Sequence, residues 1–212
     1  MNNIRVLDID IPIFSGPLGI NCSGGADSSL LLYILMSNTK DLIHIFTMAN
    51  NEKGRANAIV SSRVIEKIIQ LTGNSNIEHH IRYVNKQTPE NVAEKPIEFI
   101  QNNLITYWYS GLTANPSLEI TKSFGENLCH HLRDPLVKRK TVNDSVKKVS
   151  PFTNIDKKRI ADLYKELGLE KSLFPLTRSC EVSGKLDYLD HCGKCWWCEE
   201  RKWGFSGSIN EK

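Results

Sequence analysis

Two stretches of the chain have residue types and spacing that could do chemistry. The first is "SGGADS" at 23–28, between the apolar run "PLGINC" and the leucine-rich "SLLLYILMS". Gly24 and Gly25 have no side chains, so successive backbone N–H groups of such a turn can converge on one point. A helix starting there would add its unpaired donors and the positive end of its dipole. An anion suits that place. Ser23 and Ser28 supply hydroxyl donors and Ala26 completes the run. Asp27, a negative charge beside a phosphate site, reads either as a helix cap or as a ligand to the Mg²⁺ that accompanies phosphates. The run contains no lysine, which separates it from the Walker-type G-x-x-x-x-G-K-[ST] loop. An ordinary Gly-Gly turn with a serine cap is the bland alternative, and six consecutive residues of this kind between a strand and a helix weigh against it.

The second stretch is "SCEVSGKLDYLDHCGKCWWCEERKWGF", in which Cys180, Cys192, Cys195 and Cys198 stand as C-x₁₁-C-x₂-C-x₂-C. Tetrahedral zinc, with Zn–S near about 2.3 Å, needs sulfurs roughly 4 Å apart, and C-x₂-C steps supply that closeness. His191 could replace one thiolate, but as the neighbour of Cys192 it ranks below the four sulfurs. Unligated thiols and disulfides are the alternatives, and a reducing compartment disfavours the bridges. A closed four-thiolate site is structural: it fixes a tail to a body and performs no chemistry.

The elements that must position these residues alternate. Residues 17–22 predict a buried strand and 27–37 a helix apolar around most of its circumference. A strand is expected at 42–50. An amphipathic helix follows over 55–71, with Ala56, Val60, Val64 and Ile68 four apart and Gly73 as its cap. A third strand at 77–84 leads to a helix capped by Thr88, with Pro89 at its first position and Pro96 expected to kink or restart it. A fourth strand is expected at 104–112. This order predicts an α/β fold, an open and mostly parallel sheet covered by helices on both faces. From 113 to 150 the pattern fails, and the stretch reads as a lid or substrate loop with a short helix, or as a solvated excursion. Regularity returns with "NIDKKRIADLYKELG", capped by Asn154 or Asp156, burying Ile160, Leu163, Tyr164 and Leu167, and closed by Gly168. The domain reading is 1–175 for the sheet domain and 176–212 for a small zinc-binding module packed on it.

With 212 residues, 40% hydrophobic and 24% charged, the chain can bury one sizeable core. A net charge of +3 is too small to imply nucleic-acid binding. Asp8 and Asp10 interrupt the N-terminal apolar residues, no run is long enough to span a bilayer, and a cytoplasmic location with no membrane partner is expected.

"SGGADS" resembles the S-G-G-x-D-S loop of the PP-loop ATP pyrophosphatases, which include the N-type enzymes of adenine nucleotide alpha-hydrolase-like fold. The resemblance implies ATP and Mg²⁺, cleavage between the α and β phosphates, and adenylation of an acceptor oxygen. Read together with "DKKRIADLYKELGL", "LTRSC" and the cysteine motif, the chain resembles the 7-cyano-7-deazaguanine synthases of queuosine biosynthesis. The matching residues are Lys157, Ile160, Glu166, Leu167, Gly168, Thr177, Ser179 and Cys180, then Cys192, Gly193, Cys195, Cys198, Arg201, Gly204 and Phe205. This implies ATP-dependent conversion of a small-molecule carboxylate on a deazapurine, with ammonia, to an amide or nitrile, by a homodimer holding Zn²⁺. The family's Tyr-Pro-Asp-Cys-type segment is replaced by "GLTANPSLEITKSFGENLCHHLRDPLVKRK". A relative that stops at the amide, or that uses another carboxylate, fits as well.

Asp27, Lys157 and Arg201 are the candidate catalytic residues, and Ser23, Gly24, Gly25, Ala26, Asp27 and Ser28 the candidate nucleotide cradle. Lys157 could neutralise a phosphate, against the default of an exposed lysine. Arg178 and Arg201 could clamp an anion or serve as surface charges. Trp196 and Trp197 favour packing over stacking on a substrate. Cys22 and Cys129 read as inert thiols, and His130 and His131 as loop histidines with a general-base alternative. A tRNA-modifying enzyme gripping RNA through "VKRK" and "VKK", and a nucleotide-binding module without turnover, are the competing functions. Steep salt dependence of tRNA binding would mark the former, and ATP binding without pyrophosphate release the latter.

Overall fold

Residues 2–13 form an antiparallel hairpin, β1 (Asn2–Val6) and β2 (Ile9–Ile13), which the reading above does not include. Alternation explains it: Ile9, Ile11 and Ile13 point to one side and are buried in the main core. The Tyr109 hydroxyl ties the hairpin down, donating to the Pro12 carbonyl at 2.9 Å and accepting from the Phe14 N–H at 3.2 Å.

The computed structural model describes residues 2–51, 56–124, 133–180 and 190–207. Cys129, His130 and His131 lie outside them. β3 (Leu18–Asn21), α1 (Ala26–Asn38), β4 (Ile43–Asn50), α2 (Ala56–Thr72), β5 (Ile77–Val84), α3 (Pro89–Gln101) and β6 (Tyr107–Ser110) follow in the expected alternation. Four of the strands lie parallel in the order β5-β4-β3-β6. Alternate residues feed two cores. Leu18, Ile20, Ile43, Ile45 and Tyr109 pack with residues of α1 and α2 on one face. On the other, Phe46, Phe99, Ile105 and Trp108 cluster against α3. The fold is α/β with a mostly parallel sheet flanked by helices.

Thr88 caps α3 in a reciprocal capping box with Asn91, and Pro89 opens the helix. The helix runs on through Pro96 as one element. The stretch 113–150 is more ordered than expected in its described part. It holds α4 (Leu118–Ser123), the anticipated short helix, and the two short strands β7 (Val142–Asn143) and β8 (Lys148–Val149). β8 joins the sheet parallel to β6 and β7 closes the edge antiparallel, so this segment widens the sheet. Two-residue strands carry too little periodicity to be read in advance.

α5 (Lys157–Glu166) is capped by Asp156, whose carboxylate accepts from the Arg159 N–H at 3.1 Å. Asn154 instead exchanges two hydrogen bonds with the Arg139 backbone. A 3₁₀ turn at Phe174–Leu176 leads towards the cysteines, and α6 (Trp196–Phe205) packs on α5. No helix among the described residues is long and apolar enough to cross a membrane.

If the hairpin is part of the core, Ile11→Ala will cost about 2–5 kcal/mol, because Ile11 is fully buried. A thermal melt should fall by several degrees, whereas a hairpin that merely rests on the surface would leave Tm unchanged.

Candidate active site

The "SGGADS" turn leaves the carboxyl end of β3 and enters α1, where open parallel sheets bind ligands. Gly24 adopts φ +79°, and a Cβ there would lie 2.7 Å from the Val60 side chain and 2.9 Å from the Ser61 nitrogen. Only glycine lets the turn sit this close to α2. Gly25 is the N-cap of α1 and no side chain caps the helix, so its first N–H groups face the turn without a side-chain acceptor. The hydroxyls of Ser23 and Ser28 are 3.4 Å apart, and the Ser23 oxygen accepts from the Gly25 N–H at 3.3 Å. An anion at this helix end would meet hydroxyls, main-chain donors and a favourable dipole.

A lysine from far along the chain reaches the turn. Lys157, at the first position of α5, is 4% exposed and its Nζ donates to Asp27 Oδ2 at 2.5 Å. The sequence default of an exposed lysine does not hold. Asp27 Oδ1, by contrast, is buried with no hydrogen-bond partner among the described residues. Gly25, not Asp27, occupies the cap position. The helix-cap reading of Asp27 is therefore not met, and Oδ1 stands as a buried acceptor.

Two residues that the sequence did not single out complete this centre. Glu200 on α6, 1% exposed, has Oε2 3.8 Å from Lys157 Nζ, and its Oε1 accepts from Arg133. Arg133 is itself buried, donating to the Thr113 carbonyl at 2.9 Å, with its guanidinium over the rings of Trp196 and Trp197 at 5.2 and 5.3 Å. Asp27, Lys157, Glu200 and Arg133 thus alternate in sign from the turn to the far side of α6. Close packing makes the chain of charges continuous: a Cβ on Gly204 would lie 2.3 Å from Lys157 Cγ.

Arg201 engages the segment that leads to the cysteines. It is buried, donates to Thr177 Oγ1 at 2.9 Å and to the Phe174 carbonyl at 3.3 Å, and lies 3.8 Å over the Phe174 ring. Its geometry is that of a brace on the segment leading to Cys180. Arg178 bonds the Cys180 carbonyl at 2.6 Å through its side chain, while its backbone N–H donates to the Gly24 carbonyl at 2.9 Å. The cysteine-bearing segment therefore touches the turn through main chain. Trp196 packs edge-on against Trp197 and Phe124. Burial pushes the Cys22 thiol up to about 11, which leaves it unreactive.

The ligand atoms of Cys180, Cys192, Cys195 and Cys198 all lie within 4.8 Å of one another, a set that could hold a metal ion. The Cys192 N–H points at Cys180 Sγ at 3.4 Å and the Cys195 N–H at Cys192 Sγ at 3.3 Å, the kind of donors that steady thiolates. Burial opposes it, yet the N–H groups of Lys194 and Cys195 hold the Cys192 thiol down at about 6. His191 faces the Ser179 N–H at 3.2 Å and stays outside this set; burial, then Arg201 and Arg178, lower it to about 4.

Beside the turn, a cavity of about 680 Å³ opens between β4, β5 and α3, lined among others by Ser23, Phe46, Met48, Tyr83 and Lys95. Its size suits a nucleotide-scale ligand.

Residues 126–208 match the family model of the queuosine biosynthesis protein QueC. Over that segment, somewhat under half of its length, the chain is similar to QueC. The match takes in Lys157, the four cysteines, Glu200 and Arg201, and it agrees with the PP-loop resemblance carried by "SGGADS". Among solved structures, the U34-tRNA thiolase NcsA from Methanococcus maripaludis, described with its [4Fe-4S] cluster, aligns over 91% of this chain and 67% of its own. The identity is 15% and the TM-score 0.46, too distant a likeness to carry any residue across. No curated protein sequence matches the chain.

Glu200→Gln in the QueC-like centre removes one member of a buried charge pair and should cost about 3–5 kcal/mol in denaturant unfolding. A double replacement, Arg133→Met with Glu200→Met, should recover part of that loss, since no charge is then left without its partner. For the cysteines, Cys195→Ser should release bound metal and lower Tm. A variant that loses its metal and melts unchanged would count against a structural role.

Proposed function

We propose that this chain is an ATP-dependent adenylating enzyme that converts a carboxylate on a deazapurine-type substrate to an amide or nitrile with ammonia, releasing AMP and pyrophosphate. The QueC family match supports the coarser statement, an enzyme of the PP-loop ATP pyrophosphatase kind. The observation that carries the reading is the buried Asp27–Lys157 pair behind an uncapped helix end, with Lys157 inside the matched segment.

In this reading the β and γ phosphates rest on the main-chain amides of Gly24 to Ser28, and the 680 Å³ cavity takes the adenosine. Lys157 stands as a point charge beside the leaving pyrophosphate. Asp27 Oδ1 would hold Mg²⁺, which when bound neutralises phosphate charge. A substrate carboxylate oxygen bonds to the α phosphorus as the bond from that phosphorus to the bridging oxygen breaks, and pyrophosphate leaves with the electron pair. Ammonia then bonds to the acyl carbon, loses a proton and expels AMP, giving the amide. With a second ATP the amide oxygen bonds to the α phosphorus as pyrophosphate leaves; AMP then departs with that oxygen as the nitrogen loses its two protons, giving the nitrile. The cysteine module, 176–212, would hold Zn²⁺ and brace the 1–175 domain, with Arg201 as a positioning residue behind it. Electrostatic and positional effects dominate such phosphoryl chemistry.

Incubation with ATP, Mg²⁺, ammonia and 7-carboxy-7-deazaguanine, followed by mass spectrometry, distinguishes the outcomes. AMP and pyrophosphate with an amide or nitrile are expected, and Asp27→Asn, whose amide oxygen can still accept from Lys157 Nζ, should melt lower and, per folded molecule, release pyrophosphate about 10²–10³-fold more slowly. ADP and orthophosphate would overturn the assignment. Modification of added tRNA, with the small carboxylate untouched, would move it to the tRNA-modifying alternative.

A further inference from the structure

A second cluster of metal-binding side chains lies on the sheet, away from the cysteines. Register puts it there. In the parallel ladder His44 of β4 is the partner of Glu78 on β5, and Phe46 is the partner of His80. Side chains two apart on a strand share a face, so His44, Glu78 and His80 come together on the α3 side. His44 Nδ1 and His80 Nε2 are 3.1 Å apart, and Glu78 Oε2 is 3.3 Å from the first and 3.7 Å from the second.

We propose that His44, His80 and Glu78 form a site for a divalent first-row transition-metal ion of the zinc class, separate from the four cysteines and independent of the adenylation chemistry above. Zinc binds imidazole nitrogen at about 2.0–2.1 Å and carboxylate oxygen at about 2.0–2.2 Å, so three donors on one face of a tetrahedron are spaced by roughly 3.3–3.5 Å. The three observed separations bracket that value. Two facing imidazoles share one proton between their nitrogens when both are neutral, which leaves the convergent Glu78 oxygen without a donor from either ring. One cation at the centre satisfies all three lone pairs.

The rings are held in place before any ion arrives. Phe99 of α3 packs edge-on against both His44 and His80, with centroids 5.1 Å away in each case, and His80 also stacks on Phe46 at 5.3 Å. The one nearby cation on α3, Lys95, is paired with Glu98 at 2.6 Å. Access is open, because the Glu78 side chain is 57% exposed while His44 is buried. Two histidines and one carboxylate leave at least one coordination position free, as in metal sites that bind water or a ligand atom. His80 also lines the 680 Å³ cavity, so the site lies at its border, and water is the natural occupant of the free position.

Cobalt tests this with the protein intact. The full chain should bind two equivalents of Co²⁺, one giving the intense sulfur-to-cobalt absorption of a thiolate site and one giving only weak bands. His80→Asn and Glu78→Gln should each lose the second equivalent, or weaken it by more than about tenfold, and keep the thiolate signal. Glu78 is on the surface, so its variant remains decisive if the histidine variant fails to fold. A single equivalent in the full chain, or two equivalents retained at equal affinity in Glu78→Gln, would overturn the proposal.

Discussion

The ion pair between Asp27 and Lys157 is the contact on which the rest of the molecule depends. Both charges are largely withdrawn from water, which is costly unless each keeps a partner. That requirement dictates where α5 lies, because its first residue must reach a turn formed 130 residues earlier. It then dictates where α6 lies, since Glu200 must face the same ammonium, and Arg133 must in turn answer Glu200. Gly204 lets the two helices approach closely enough for this, and Gly111 does the same for β6 and α1, its missing Cβ leaving room 2.8 Å from the Ser28 nitrogen. The charges do not add stability in proportion to their number. They specify one arrangement, because any slippage strands a buried charge.

The arrangement also joins two centres that the sequence keeps apart. Cys195 caps α6 and Cys198 and Glu200 lie on it, so the helix that carries thiolates to one side carries a carboxylate to the other. Arg201, one residue on, braces the Thr177 region, from which the Arg178 N–H reaches back to Gly24. A metal held by the cysteines would thereby stiffen the anion-binding turn without touching it.

Much of this could be read from the chain. The four central strands, the first three crossover helices and the capped α5 followed from periodicity and from Thr88, Pro89 and Asp156, which act locally. The glycine turn and the four cysteines were legible for the same reason: their spacing encodes their geometry. The residues that escaped are those whose role depends on distant neighbours. Nothing near Glu200 or Arg133 announces burial, and the basic look of 133–140 pointed towards solvent. His44, Glu78 and His80 belong to strands that were recognised, and their alternation was visible, but the register that unites them is a property of the sheet. The N-terminal hairpin is less legible although Ile9, Ile11 and Ile13 alternate cleanly, because each of its strands is only five residues long and its place in the core depends on distant Tyr109.

The hydrogen bond from Arg178 to the Gly24 carbonyl bears on how the protein is made. Strands and helices of the first half can dock while translation is still under way, since chains fold progressively as they emerge. The turn, however, waits for partners that leave the ribosome at least 130 residues after it. Until then Asp27 has no cation and Gly24 no donor, so a nascent or prematurely ended polypeptide holds the outline of a nucleotide pocket without the grip to use it.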